Sequence, residues 1–177
     1  MLNNRKRIFD DLLQMRSNGT AATGTTGKAA TVGDALKIFD TGGGYTEGKL
    51  VIDVAYASLG SPQNVVNGGY MIDLQASNSA TFATPIVKLD RIKLACNING
   101  TCDGIPLTPS SVRNVATVPF RVIKPFQNDV NGTIYRYLRL WTRSGGYRMG
   151  VAVGSGTYSG ACASMVTGID YSAFLSI

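Results

Sequence analysis

Residues 135–141 read Tyr-Arg-Tyr-Leu-Arg-Leu-Trp, and this stretch alternates with a period of two. A period of two predicts a β-strand, because successive side chains of a strand point to opposite faces of the pleat. One face carries Tyr135, Tyr137, Arg139 and Trp141, and the other carries Arg136, Leu138 and Leu140. We expect the aromatic side chains to lie in the core. Arg136 and Arg139 are then open to function, pairing with Asp53 or Asp73 or meeting acidic groups of a partner.

Stretches of the same kind predict an all-β protein. Alternating or short apolar stretches occur at residues 35–39, 49–56, 70–76, 86–89, 92–96, 118–123, 134–142, 148–153 and 166–171. Clusters of Gly, Pro and Asn separate them, as in sheet proteins with many short connections. Pro119 indicates either that its strand lies at a sheet edge or that Pro119 is the first residue of the strand. We therefore expect a jelly-roll or β-sandwich of roughly eight to ten strands, with an extended N-terminal arm carrying a short helix.

The chain divides into an arm and a linker at residues 1–33 and one jelly-roll domain at residues 34–177. Residues 5–16 approximate a helical stripe, and residues 17–31 are rich in Gly, Ala and Thr, which predicts a linker. So short a helix is not stable by itself. It must dock on its own domain, a sister subunit or another protein, and we favour a neighbouring molecule.

Positive charge is concentrated in the last third of the chain. The net charge is +6, although only 16% of the residues are charged. Between residues 121 and 148 the basic residues outnumber the single acid, Asp129; they are Arg121, Lys124, Arg136, Arg139, Arg143 and Arg148. A basic face attracts nucleic acid, an anionic membrane or an acidic protein surface, although basic residues also protect strand edges from aggregation.

Catalytic and metal-binding patterns are missing from the sequence. The chain has no histidine, the commonest general base and transition-metal ligand. Asp53 and Asp73 could form an acid–base pair across two strands, but we expect them to be solvated or paired with arginine. Cys96 and Cys102 flank an Asn-Gly loop and form a disulfide if the protein reaches an oxidising place; otherwise they are buried thiols. We expect no enzymatic activity, no metal and no cofactor.

Targeting signals are missing as well. No stretch approaches the ~18 apolar residues of a membrane span. The basic N-terminus is followed by Asp10 and Asp11 rather than by the apolar core of a signal peptide. We therefore expect synthesis in the cytoplasm without export, and no membrane partner.

Three stretches together resemble the capsid cement, or decoration, protein family of tailed bacteriophages. They are residues 48–54, residues 70–82 with the pattern Leu-Gln-x-Ser…Phe, and residues 135–140 with Arg-Tyr-Leu-Arg-Leu. The resemblance covers about residues 34–177. It implies a jelly-roll domain, a homodimer or other small homo-oligomer, attachment to the outer surface of the head shell, and no enzymatic activity. The long arm and an insertion at residues 97–114 depart from the family pattern.

The expected function is therefore structural: a virion protein that stabilises the head shell by bridging subunits of the major capsid protein. Candidate shell-binding residues are Arg5, Lys6, Arg7, Phe9, Leu12, Leu13, Arg16, Arg143 and Arg148. A head–tail connector or tail protein, or a carbohydrate-binding jelly-roll module, is the alternative. We expect neither a nucleic acid nor a small-molecule substrate as partner.

Overall fold

The computed structural model describes residues 13–17, 27–33, 35–57, 68–96, 105–106, 120–144 and 168–177. These residues form fourteen strands and no α-helix. In chain order the strands are β1 (Gln14–Arg16), β2 (Lys28–Ala29), β3 (Thr31–Val32), β4 (Ala35–Leu36), β5 (Phe39–Asp40), β6 (Glu47–Ala57), β7 (Gly68–Ser77), β8 (Val87–Cys96), β9 (Ile105–Pro106), β10 (Phe120–Gln127), β11 (Asp129–Val130), β12 (Thr133–Ile134), β13 (Tyr137–Ser144) and β14 (Ile169–Ser176).

Two larger sheets contain all six long strands. The four-stranded sheet has the order β1-β14-β6-β10, and the six-stranded sheet has the order β2-β13-β7-β8-β9 with β5 also paired to β13. Neighbouring strands are antiparallel throughout the described residues, except for the parallel pair β8–β9. Two short hairpins, β3–β4 and β11–β12, lie outside these sheets.

The core lies between the two sheets. Alternate residues of β6 and β14 point into it from one side, and alternate residues of β7, β8 and β13 from the other. The predicted inward residues Leu50, Ile52 and Val54 are buried. So are the predicted inward residues of β7, namely Tyr70, Ile72, Leu74 and Ala76. The prediction of an all-β sandwich is confirmed.

Several strand boundaries differ from the sequence prediction. The apolar pieces at 86–89 and 92–96 belong to one strand, β8, whose ladder with β7 is interrupted by an irregularity opposite Leu74 and Gln75. The predicted strand at 166–171 begins at Ile169 and continues to Ser176. The piece at 35–39 contributes to two short strands, and residues 148–153 lie outside the described part of the chain. Within the described residues β10 ends the four-stranded sheet, which agrees with one of the two alternatives drawn from Pro119, although Pro119 itself lies outside the described ranges.

The prediction of an aromatic core face at 135–141 is wrong for Tyr137 and Trp141, whereas Tyr135, which precedes β13, packs partly buried against the core. Leu138, Leu140 and Thr142 are the buried residues of β13, whereas Tyr137 and Trp141 are only half-buried and lie on the outer side. Register decides this, because Leu138 lies opposite Ala76 and Leu140 opposite Leu74 on β7. Residues directly opposite each other share a face, so the leucines follow the core side of β7.

The end of the predicted N-terminal helix is a strand. Gln14, Met15 and Arg16 pair with β14, and Met15 is fully buried in the core. β2 likewise adds to the edge of β13. A sheet edge offers unpaired backbone groups to an extended segment, and a helix cannot use them. Parts of the expected arm therefore belong to the sandwich itself, while residues 1–12 and 18–26 lie outside the described ranges.

Asn128 joins the loops at one end of the sandwich. Its side chain is fully buried. Its Oδ1 accepts a hydrogen bond from the backbone N–H of Thr46 at 2.7 Å, and its Nδ2 donates to the carbonyls of Gly44 at 2.8 Å and Tyr135 at 2.9 Å. The β11–β12 hairpin that follows turns at Asn131 and Gly132, with φ of 54° and 80°. Asn and Gly both tolerate these backbone angles, which a two-residue hairpin turn requires.

Candidate functional site

The outer side of the six-stranded sheet carries three cross-strand rows of mostly polar and aromatic residues, in which Met71 and Asp73 are buried. They are Lys88–Gln75–Arg139, Arg91–Asp73–Trp141 and Lys93–Met71–Arg143, each running from β8 through β7 to β13. Of the intervening residues, Ile72, Leu74, Ile92 and Leu140 belong to the core. We call these nine residues the basic face, because they include five basic side chains and one carboxylate.

The carboxylate of the basic face is neutralised within the row. Asp73 is buried, and its two oxygens accept hydrogen bonds from Nε and NH2 of Arg91 at 2.6 and 2.8 Å. A bidentate pair of this kind is among the stronger ion pairs in proteins. The expectation that Asp73 pairs with an arginine is confirmed, but its partner is Arg91 rather than Arg136 or Arg139.

Among the residues that the structure describes, aromatic rings rather than a carboxylate hold Arg139. Its guanidinium carbon lies 4.2 Å from the ring centre of Phe82 and 4.6 Å from that of Trp141. Its Nε donates to Oε1 of Gln75 at 2.9 Å. Burial lowers the pKa of Arg139, although an arginine stays charged at any physiological pH. Cation–π contacts and one amide thus fix the guanidinium group in place.

A tight loop places Phe82 beneath Arg139. Phe82 has a positive φ of 54° and is only 5% exposed. The buried hydroxyl of Ser77 lies 3.3 Å from the carbonyl of Ala83 and 3.2 Å from that of Pro85, and accepts from the N–H of Ser79 at 3.0 Å. A left-handed conformation is rare for a bulky residue and persists only where its surroundings impose it. Here the loop and the stacked arginine impose it.

Arg143 is the one predicted shell-binding residue that the structure places on the basic face. It lies opposite Met71 of β7 and is half-buried. Its Nε is shielded from solvent and has no hydrogen-bond partner among the described residues. An N–H group that is shielded from water and has no acceptor costs free energy, unless a binding partner supplies the acceptor.

Trp141 packs against the N-terminal segment, and this contact yields a test. Gly27 has a φ of 84°, and a Cβ there would overlap the indole ring. We expect Gly27→Ala to lower the free energy of unfolding by about 2 kcal/mol, through backbone strain and displacement of the indole. Because Trp141 is the only tryptophan, its fluorescence emission should shift as well.

Gly33→Ala is the matched control for this substitution. Gly33 also has a positive φ, 60°, but a Cβ there would meet nothing within 4 Å. We expect it to cost about 1 kcal/mol for the backbone alone and to leave the emission unchanged. Equal effects of the two substitutions on fluorescence would contradict the packing of Gly27 on Trp141.

Arg16 was predicted to bind the shell, and the structure places it inside the protein instead. It is only 6% exposed. Its Nε donates to the carbonyl of Tyr171 at 3.1 Å, its guanidinium carbon lies 4.5 Å from the Tyr171 ring centre, and its NH2 lies 3.9 Å from Asp170. The Tyr171 hydroxyl bonds to Thr142 of the opposite sheet, and burial raises the pKa of that tyrosine. Arg16 thus secures β1 to the sandwich.

The remaining predicted shell-binding residues either pack against the core or lie outside the described ranges. Leu13 packs partly buried against the core. Arg5, Lys6, Arg7, Phe9, Leu12 and Arg148 lie outside the described ranges. Cys96 ends β8, but Cys102 is outside the described ranges, so their disulfide stays a prediction.

The hypothetical acid–base pair of Asp53 and Asp73 is wrong, because the two residues belong to different sheets. Asp53 lies on β6 of the four-stranded sheet and binds Arg121, whose NH2 donates to it at 2.9 Å. Arg136 pairs with a third carboxylate, Asp40, at 2.8 Å. That hydrogen bond, together with one from the Gly42 N–H, lowers the pKa of Asp40. Asp40, Asp53 and Asp73 thus each act as the partner of an arginine.

Two further kinds of feature are absent from the described residues. No group of three or more His, Cys, Asp or Glu side chains is arranged to hold a metal ion in the described part of the chain. Within the same ranges no helix is long and apolar enough to cross a membrane. Comparison with protein-family models, curated proteins and solved structures gives no match.

Proposed function

We propose that this protein is a structural virion protein of a tailed bacteriophage, a capsid cement protein of the jelly-roll type. It attaches to the outside of the head shell and stabilises the shell by bridging subunits of the major capsid protein. It works as a small homo-oligomer and needs neither a cofactor nor a substrate. Such work requires broad surfaces that hold a partner in place.

The observation that carries this proposal is the convergence of two of the resembling stretches on one cluster. Residues 70–82 and 135–140 lie far apart in the chain, yet they supply the neighbouring strands β7 and β13. Gln75 and Phe82 from the first stretch both contact Arg139 from the second. A shared packing unit of this kind gives a physical reason for a family to keep both patterns together.

The symmetry of the head shell raises the affinity above that of a single contact. A shell presents the same subunit surface many times, and a small oligomer can engage two copies at once. Linking two weak contacts in one molecule raises the overall affinity by roughly 10² to 10⁴. A cement protein can therefore hold a shell through shallow surfaces alone.

Binding to head shells tests the proposal. We expect the purified protein to co-sediment saturably with expanded shells made of the major capsid protein encoded in the same genome. We also expect it to raise the temperature at which those shells dissociate. Unexpanded shells are the control, since their subunits present different surfaces. Binding to portal or tail assemblies but not to shells would contradict the proposal, as would glycan binding without shell binding.

The contribution of the N-terminal residues needs a substitution that leaves the sandwich intact. Deleting residues 1–31 would remove β1 and β2 together with the buried Met15 and Arg16, and would mix loss of folding with loss of binding. Replacing Arg5, Lys6 and Arg7 by glutamine keeps both strands. If these residues contact the shell, occupancy falls while thermal stability does not change.

A further inference from the structure

Two guanidinium groups of the basic face have no carboxylate partner in the part of the chain that the structure describes. Of its three arginines, Arg91 binds Asp73. Arg139 and Arg143 have no ion-pair partner among the described residues, and Asp90 of β8 accepts instead from the Arg91 backbone N–H at 2.7 Å. Both arginines lie on β13 and on the same side, four residues apart, which places them about 13 Å from each other.

The immobilisation of Arg139 suits it to an anionic group. Phe82 and Trp141 hold its guanidinium, and its Nε donates to Gln75. Within the described residues NH1 and NH2 have no hydrogen-bond acceptor, so both can donate to a partner. The entropy of ordering the side chain has already been lost on folding, which strengthens any later hydrogen bond. Two adjacent N–H groups match the two oxygens of a carboxylate.

The same contacts make a nucleic acid a poor occupant. Single-strand binding needs aromatic faces on which bases can stack. Phe82 is 5% exposed, and Trp141 lies between Arg139 and Gly27. The guanidinium group of Arg139 therefore already stacks on both rings.

We infer that the basic face is a docking surface for an acidic protein surface, with Arg139 and Arg143 each binding a carboxylate. This inference rests on the proposed function, in which that acidic surface belongs to subunits of the head shell. Electrostatic complementarity then sets the orientation of the protein on the shell.

Removing both charges tests the inference. The variant R139Q/R143Q should bind expanded shells about 100-fold more weakly, since each charge-assisted contact contributes roughly a factor of ten. The matched control is K49Q/R121Q, which removes two charges from the outer side of the four-stranded sheet and should bind like the unmodified protein. Equal weakening of both double variants would overturn the inference. So would unchanged binding of R139Q/R143Q.

A second variant separates recognition from folding. R139K/R143K keeps the charge, and we expect it to bind at least about 10-fold more tightly than the glutamine variant. Thermal unfolding is measured for every variant. Equal binding by the lysine and glutamine variants, at similar stability, would overturn a role for charge on this face.

Soluble probes distinguish failure of the inference from failure of the proposed function. Poly-L-glutamate should bind the unmodified protein and should bind R139Q/R143Q more weakly, even if the shells prove not to be the partner. An oligonucleotide of equal charge should bind less tightly. Tighter binding of the oligonucleotide, lost in R139Q/R143Q, would overturn the inference in favour of nucleic acid. A change of solution mass in R139Q/R143Q without a change in shell binding would make the face a contact between copies and would also overturn it.

Discussion

Replacing Asn128 by alanine should lower the free energy of unfolding by about 3 kcal/mol. The substitution removes three well-formed hydrogen bonds and leaves the Thr46 N–H and the carbonyls of Gly44 and Tyr135 without their partner. Each lost bond contributes roughly 1 kcal/mol, and more where the group left behind stays shielded from water. The side chain is fully buried, so water cannot easily replace it. Urea unfolding measures the change.

Asn78→Ala is the control for the loss of an asparagine. Asn78 is exposed and accepts one hydrogen bond, from the Arg136 N–H at 2.9 Å. We expect it to cost less than about 1 kcal/mol, because water can take its place. Similar losses at the two positions would show that Asn128 does not hold these loops together.

We expect Asn128→Asp to make the free energy of unfolding depend on pH. The carboxylate would face the carbonyls of Gly44 and Tyr135 that now accept from Nδ2, so its charged form is disfavoured in the folded protein. The pKa of the new carboxyl group is then raised by folding. Stability should be lowest at neutral pH and should increase as pH falls and the group becomes protonated. The unmodified protein provides the reference curve.

Replacing Met15 by alanine should also cost about 3 kcal/mol. Met15 is fully buried in the core between the sheets, and Met→Ala substitutions at such sites leave a cavity and typically cost about 2–5 kcal/mol. The result matters for function, because it tests whether β1 belongs to the sandwich. Thermal and urea unfolding measure the loss.

Gln14→Ala serves as the control on the same strand. Gln14 is half-buried, and its side chain makes one long hydrogen bond, 3.4 Å, to the carbonyl of Arg16. We expect a loss below about 0.5 kcal/mol. If Met15→Ala cost as little, β1 would not be docked in solution, and residues 13–17 would again be candidates for reaching a neighbouring molecule.

The division between structural and available arginines has a consequence for the whole protein. Arg16, Arg91, Arg121 and Arg136 are committed to carboxylates of the same chain. An exposed ion pair, such as that of Arg136 with Asp40, contributes little to the free energy of unfolding. A buried pair, such as that of Arg91 with Asp73, is costly to break, because one charge is left without its partner. The basic residues of this chain therefore differ in role, and net charge alone does not identify those that face a partner.

Strand positions and the inward sides of β6 and β7 could be predicted from alternation, because each is a property of residues adjacent in the chain. The turn at Asn131 and Gly132 was equally predictable, since those two residue types tolerate the required backbone angles. The basic region at residues 121–148 could also be identified from the sequence. Arg143 was found in this way, whereas Arg139 was left with several possible partners.

The sequence by itself determined the all-β class, the alternating strands and the concentration of arginines late in the chain. Only the tertiary structure decided which side of β13 is buried, which acid meets which arginine and where residues 14–16 lie. These outcomes depend on register and on sheet partners far away in sequence, such as Met15 beside β14 and Gln75 beside Arg139. A period of two defines two faces but does not say which one is inside, because a one-residue shift of register exchanges them.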